Sequence, residues 1–189
     1  RILIKDMRAG FSETTVNKMV KKAGKSEYGI PLFECMLAHD GANHEKKITG
    51  KKLLEPKLDG VRVLTVINAE NKTVTQYSRN GKVLENFEHI TSALEKHIDL
   101  FDRSVVLDGE MVSSSFQALM KQVHRKSNVE ANDAVLHLFD MLPLKEFQDG
   151  KSTKNQSERS ALLAGWNSLY SAHTPNIAVV EQELVNLDT

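Results

Sequence analysis

The spacing of hydrophobic positions along this 189-residue chain changes period several times, and each change marks an element. Short β-branched and aliphatic runs bounded by turn residues predict strands over 52–55, 61–67, 73–78, 105–112, 135–139 and 177–181. Between the second and third of these, Asn68-Ala69-Glu70-Asn71 predicts a hairpin turn. Helical spacing predicts a first helix over 14–23, with Ser12 as N-cap and Gly24 as stop. It predicts a second over 84–100, where Ile90, Leu94 and Ile98 share a stripe, and a third over 116–125. A fourth, capped by Ser157, would run through Leu162, Leu163, Trp166 and Leu169. Pro31 and Gly41-Ala42-Asn43 mark a loop, and residues 184–189 have the pattern of a segment starting another helix.

Strands joined by hairpins, with helices at irregular intervals, predict an α+β fold of mainly antiparallel sheets flanked by helices, not a doubly wound fold. A hydrophobic content of 40% and a charged content of 26% are those of an ordinary globular domain. No apolar run approaches the roughly 18 residues of a membrane span, so no membrane partner is expected. The single Cys35 excludes an internal disulfide and points to a reducing, cytoplasmic setting. The balance of 25 basic and 25 acidic residues argues against a protein that coats nucleic acid indiscriminately. It leaves room for local patches: Lys46-Lys47 with Lys51-Lys52, and Lys121, His124, Arg125 and Lys126. The histidines show no zinc-ligand spacing. Gly24-Lys25-Ser26 and Gly150-Lys151-Ser152 fail as phosphate loops, because Met19 and Lys145 stand where that motif requires glycine.

The chemistry concentrates in Lys57-Leu58-Asp59-Gly60-Val61-Arg62, at the mouth of a strand. A lysine in a Gly-containing turn, with an arginine one step along the strand, suits covalent chemistry on phosphorus: the amine attacks and the guanidinium holds charged oxygens. Three further pieces follow. Ser78-Arg79-Asn80-Gly81 ends a strand in an Asn-Gly turn. Asp108-Gly109-Glu110 puts two carboxylates at i, i+2 on one strand face. Phe139-Asp140 closes the next apolar strand with an aromatic and an acid. Each alone is common in ordinary turns, surfaces and cores. Together they supply a nucleophile, two arginines for phosphate, an acid for ribose or metal, and an aromatic platform for a base.

In that order and spacing the set resembles the covalent nucleotidyltransferase superfamily, and within it the ATP-dependent DNA ligases. Asp6-Met7-Arg8-Ala9-Gly10-Phe11-Ser12 resembles the stretch that leads into the catalytic core of such ligases. Pro31-Leu32, Met36-Leu37-Ala38, Phe116-Gln117-Ala118-Leu119 and Arg125-Lys126 are similar to T-even-like phage ligases. The resemblance implies that residues 1–28 are the end of a helical DNA-binding region with its linker, and that 29–189 are an adenylation domain. It implies ATP and Mg²⁺ (or Mn²⁺) as cofactors and nicked double-stranded DNA as partner. A monomer is expected, in the cytoplasm (the host's, if phage-encoded).

By the same resemblance Lys57 attacks the α-phosphate of ATP, and AMP then passes to the 5′-phosphate of a nick. Glu55 accepts from the adenine amino group, Arg62 and Arg79 hold ribose and phosphates, and Phe139 stacks on adenine. Glu110 binds the ribose hydroxyl or the metal, Asp59 and Gly60 orient the lysine turn, and Asp108 supports Glu110. A free lysine, with a pKa of about 10.4, is only about 0.1% neutral near pH 7.4, so burial, Arg62 and a metal are expected to favour the neutral amine. Such ligases continue into a Glu-Gly-x-x-x-Lys strand, a further lysine-rich strand and an OB-fold, none of which occurs before Thr189. The chain is therefore expected to be a fragment, cut at both ends, that cannot seal nicks alone and labels itself weakly. The rival readings are an RNA ligase, a GTP-using capping-type enzyme and a non-catalytic nucleic-acid-binding module. Glu55 and the stretch at Asp6–Ser12 argue against the first two.

Overall fold

A computed structural model describes residues 13–25, 28, 29, 33–114 and 133–188. The chain divides into two compact units, Arg1–Glu34 and Cys35–Thr189. In the first, α1 (Glu13–Lys22) ends at Gly24, as its sequence predicts. The Gly24 and Lys25 amides donate to the Lys21 and Val20 carbonyls and close the last turn. The expected cap at Ser12 and the expected helix over 116–125 lie outside the described residues, as does the second basic patch.

The second unit is built on two sheets. Strands β1 (Lys51–Leu54), β2 (Val61–Asn68), β3 (Thr73–Ser78), β4 (Val83–Leu84), β5 (Val105–Val112), β6 (Val135–Pro143), β7 (Ile177–Val179) and β8 (Glu183–Asn186) alternate with α2 (Glu88–Glu95), α3 (Leu144–Gln148) and α4 (Gln156–Tyr170). Six strands form one sheet in the order β4-β3-β2-β5-β6-β7, and β1 pairs with β8 in a second. Every pairing is antiparallel except β6 with β7. The predicted α+β class with mainly antiparallel sheets is therefore the one observed.

Period-two alternation explains the layers. Val63 and Ile67 of β2, Leu107 and Met111 of β5, and Leu136 and Leu138 of β6 share one buried core. Ile90 and Leu94 of α2 and Leu163 and Trp166 of α4 belong to the same core. The opposite face of β2 and β5 carries Arg62, Leu64, Asp108 and Glu110, with Arg62 opposite Glu110 and Leu64 opposite Asp108 in register. One face is thus apolar apart from buried Thr65, which accepts from Gln76, while the other begins apolar at Leu64 and turns polar towards the start of β2.

The departures from the sequence expectation have physical causes. Residues 84–100 are not one helix. Val83 and Leu84 pair with Tyr77 and Gln76, α2 starts only at Glu88, and Ile98–Leu100 form a separate 3₁₀ turn. The helix α4 is capped by Asn155, not Ser157: its side chain accepts from the Glu158 amide at 3.0 Å, and Glu158 returns a bond to the Asn155 amide at 2.8 Å. Residues 183–186 form a strand, because Leu184 and Val185 find partners in Leu53 and Lys52, far away in sequence.

β6 does not end at Phe139 but runs on to Pro143. Asp108 pairs with Asp140 while Gly109 pairs with Leu138, so Phe139 is an extra residue, a β-bulge. The strands are tight here: a Cβ on Gly109 would stand 2.6 Å from the His137 carbonyl oxygen. Gly109→Ala is therefore expected to cost about 1–3 kcal/mol by forcing β5 and β6 apart. Urea unfolding followed through Trp166 fluorescence measures this, and wild-type stability in the variant would show that the strands yield without cost.

Candidate functional site

The segment from Glu55 to Gly60 joins β1 to β2 without regular structure. Its far end is clamped, because a Cβ on Gly60 would lie 2.2 Å from the Met111 carbonyl oxygen and 2.9 Å from Glu110 Cγ. Only glycine allows the loop to lie so close to β5. The Gly60 amide also donates to the Glu110 carboxylate. Lys57 projects from this loop with its Nζ 3.2 Å from Asp59 Oδ1 and its side chain 89% exposed. The burial of the amine expected from the sequence is not observed.

Arg62 is fixed from two sides. Its Nε and Nη2 donate to the two carboxylate oxygens of Asp108 at 3.0 and 2.7 Å. Its guanidinium carbon lies 5.4 Å from the centre of the Phe139 ring. The fork-to-fork geometry with Asp108 holds the guanidinium above its ordinary pKa. Burial pushes the Asp108 carboxyl upward even against that guanidinium. Asp108 therefore serves Arg62, not Glu110 as expected. Glu110 stands beside them, also pushed upward, chiefly by burial, with the Gly60 amide and Arg62 opposing.

The bulge puts two consecutive residues of β6, Phe139 and Asp140, into the wall of one cavity. Strict alternation would have turned one of them away. Asp140 is buried, and Arg159 of α4 compensates its charge through Nε, at 2.8 and 3.1 Å from the two carboxylate oxygens. Arg159 also donates to the Lys154 carbonyl at 2.8 Å and to the Gln156 side-chain oxygen. Across the cavity, the Gln182 amide nitrogen donates to Glu55 Oε1. Neither Arg159 nor Gln182 was singled out from the sequence. The available signal for Arg159 was its place on the buried stripe of α4 with Leu163 and Trp166, where a charge needs a partner. A lone glutamine in a loop carries no comparable mark.

These groups enclose a cavity of about 560 Å³, the size of a small-ligand site. Glu55, Lys57, Arg62, Glu110 and Phe139 line it, together with apolar Met36, Leu53 and Val180. Five predicted site residues thus meet around one space. Asp59 touches it only through Lys57, and Asp108 through Arg62. Arg79 is exposed in the β3–β4 turn, outside the cavity lining. Its carbonyl lies 3.9 Å from Cys35 Sγ. Burial raises the Cys35 thiol pKa, while Arg62 and Arg79 nearby pull it down. Among the described residues no three His, Cys, Asp or Glu side chains cluster as a metal cage. Asp108 and Asp140 are each committed to an arginine. Of the two cavity glutamates, neither bound to an arginine, Glu55 accepts from Gln182, and Glu110 fits Mg²⁺ held by one protein carboxylate and substrate phosphates.

Residues 35–186 match the family model of the ATP dependent DNA ligase domain. Two solved proteins, Pmar-Lig_Pre and Pmar-Lig_PreS3, are each 51% identical to the chain with a TM-score of 0.85. Each match covers 100% of this chain, which spans 43% of the length of those proteins. An ATP-dependent DNA ligase from bacteriophage T7, solved in complex with ATP, is 18% identical over 81% of this chain and 55% of its own, with a TM-score of 0.57. An RNA ligase from Naegleria gruberi is 16% identical over 85% of this chain and 46% of its own, with a TM-score of 0.53. These two likenesses are of fold. No curated protein matches the chain, and no helix among the described residues is long and apolar enough to cross a membrane.

Two outcomes are expected. Arg159→Ala strands a buried carboxylate and should cost about 3–5 kcal/mol in denaturant unfolding, much of it recovered in the double variant with Asp140→Ala. The second concerns Glu110, whose pKa is raised in the folded chain. Its protonated form is favoured by folding, so the stability it contributes is full below its unfolded pKa and is lost as pH rises through its folded pKa. Glu110→Gln should therefore gain stability relative to wild type as pH rises above the ordinary carboxylate value of about 4.3. Paired urea midpoints on either side of that value test this, and a constant difference would sink it.

Proposed function

Because the chain belongs to the ATP dependent DNA ligase domain family, we propose that Lys57 is the nucleophile of an adenylation reaction and Glu55, Arg62, Glu110 and Phe139 its nucleotide site. The observation that carries this reading is the meeting of all five around one cavity. Lys57 Nζ forms a bond to the α-phosphorus of ATP, the bond from that phosphorus to the pyrophosphate oxygen breaks, and the amine releases a proton. AMP then moves to the 5′-phosphate of a nick as the P–N bond breaks. Attack by the 3′-hydroxyl seals the strand and releases AMP.

The residues divide the work by position. Phe139 offers the base the ring face that Arg62 does not cover. Arg62 has Nε and Nη2 bound to Asp108, so its Nη1 edge is presented to ribose and phosphate in a fixed orientation. A bound Mg²⁺ or Mn²⁺, with Glu110 as its protein ligand, would neutralise phosphate charge. Lys57 must leave Asp59 to reach phosphorus, and its exposure on a loop gives it that freedom. Arg79, outside the cavity, is assigned to the nick's 5′-phosphate. Nicked double-stranded DNA is the proposed substrate, in replication, repair and recombination. The alternative acceptor is nicked RNA, as the fold of the Naegleria gruberi RNA ligase is shared.

Incubation with radiolabelled ATP and Mg²⁺ is expected to attach one adenylyl group to Lys57, located by peptide mass mapping. Lys57→Ala should reduce the label to background while leaving the fold intact, because the side chain is exposed. Label retained in that variant, or none in the wild type, would falsify the assignment. Chasing the labelled chain with nicked DNA or nicked RNA identifies the acceptor.

A further inference from the structure

We infer that Gln182 is a specificity-determining positioning residue, which fixes the Glu55 carboxylate so that the cavity accepts a nucleobase carrying an exocyclic amine and rejects its oxo counterpart. The inference rests on the adenylation reading above and adds to it a residue that no motif contains.

Gln182 lies between β7 and β8, and Glu55 directly follows β1. The antiparallel pairing of β1 with β8, in which Leu54 faces Glu183, brings the two side chains together across 127 positions of sequence. The amide has only one sensible orientation in this contact. An ionised carboxylate has no proton to give, so Gln182 must present its NH₂, and Nε2 donates to Oε1. That bond occupies one oxygen of Glu55 and fixes the rotation of the carboxyl group. The other oxygen belongs to a residue that lines the cavity together with Phe139.

A carboxylate held in this way can only accept. An adenine amino group satisfies it, whereas the 6-oxo group of hypoxanthine or guanine sets acceptor against acceptor and leaves both unpaired. A Glu55 free to rotate could turn away from an oxo base and lose little. Fixing its rotation therefore converts a weak preference into an exclusion. Gln156, a side-chain amide in the cavity lining, is engaged elsewhere: it accepts from Arg159 and donates to Ser160 Oγ at 3.5 Å.

The test compares ATP with ITP, which differ at this position, by isothermal titration calorimetry on the 189-residue chain in Mg²⁺. Wild type is expected to bind ATP more tightly than ITP. In Gln182→Leu the ATP-to-ITP affinity ratio should fall about tenfold, the size of one lost hydrogen bond to a charged group. A purely structural role would weaken both nucleotides and leave the ratio unchanged. Gln182→Ser, milder at this half-buried position, gives the same comparison if the leucine variant does not fold. Glu55→Gln, whose amide can donate to an oxo group, should move the ratio further towards ITP. ATP binding with an unchanged ratio in both Gln182 variants overturns the role of Gln182 and leaves the adenylation reading standing. Absence of ATP binding by the wild type overturns both.

Discussion

The site depends on one irregularity, the extra residue that β6 inserts at Phe139 opposite the junction of Asp108 and Gly109. Without it, the alternation of a regular strand would send either Phe139 or Asp140 to the core. With it, an aromatic ring and an acid stand side by side in the same cavity wall. Everything nearby accommodates that choice. Gly109 lets the strands approach where the register slips, Arg159 neutralises the acid, and Arg62 lies over the ring while gripping Asp108. The cavity face is thus organised by charges that compensate one another in pairs, arranged around a defect in a sheet.

These pairs also divide labour between rigidity and freedom. Two arginines and two aspartates are committed to each other with good geometry, and so hold shape. Lys57, Asp59 and Arg79 are exposed and loosely held, as groups that must move in a reaction require. Glu110 falls between, half-buried and tied to the backbone of Gly60. The proposed nucleophile therefore sits on an irregular loop anchored at a point where no side chain fits.

Much of this was legible in the sequence. The β-branched runs at Val61–Asn68 and Val105–Val112 announced their strands, since central strands buried on both faces have few other compositions. Of the cavity residues, Lys57, Arg62, Glu110 and Phe139 stood out by type and spacing, and Glu55 only through the family resemblance. What escaped notice depended on contacts distant in sequence. Asp140 looked like the end of a strand because its compensating charge comes from Arg159, on a later helix. Residues 184–189 resembled the start of a helix because the four-residue strand Glu183–Asn186 has no periodicity of its own and takes its identity from β1. Asp108 was assigned to its near neighbour Glu110, whereas its partner lies across the sheet in Arg62. Nothing local in a single glutamine indicates a carboxylate far upstream.

The pairing of β1 with β8 also bears on how the protein assembles. The β2–β3 hairpin closes over a four-residue turn and needs nothing else, whereas the β1–β8 contact must draw together segments separated by more than a hundred residues. Closing a loop of that length costs more conformational entropy than closing the hairpin, so the β1–β8 pairing depends more on the rest of the unit being in place. Glu55 and Gln182 sit at its margin, so this end of the cavity is joined to the second sheet. A ligand seated there binds the closed pairing and not the opened one. Ligand binding at that end and closure of the second sheet are then linked, so that each strengthens the other.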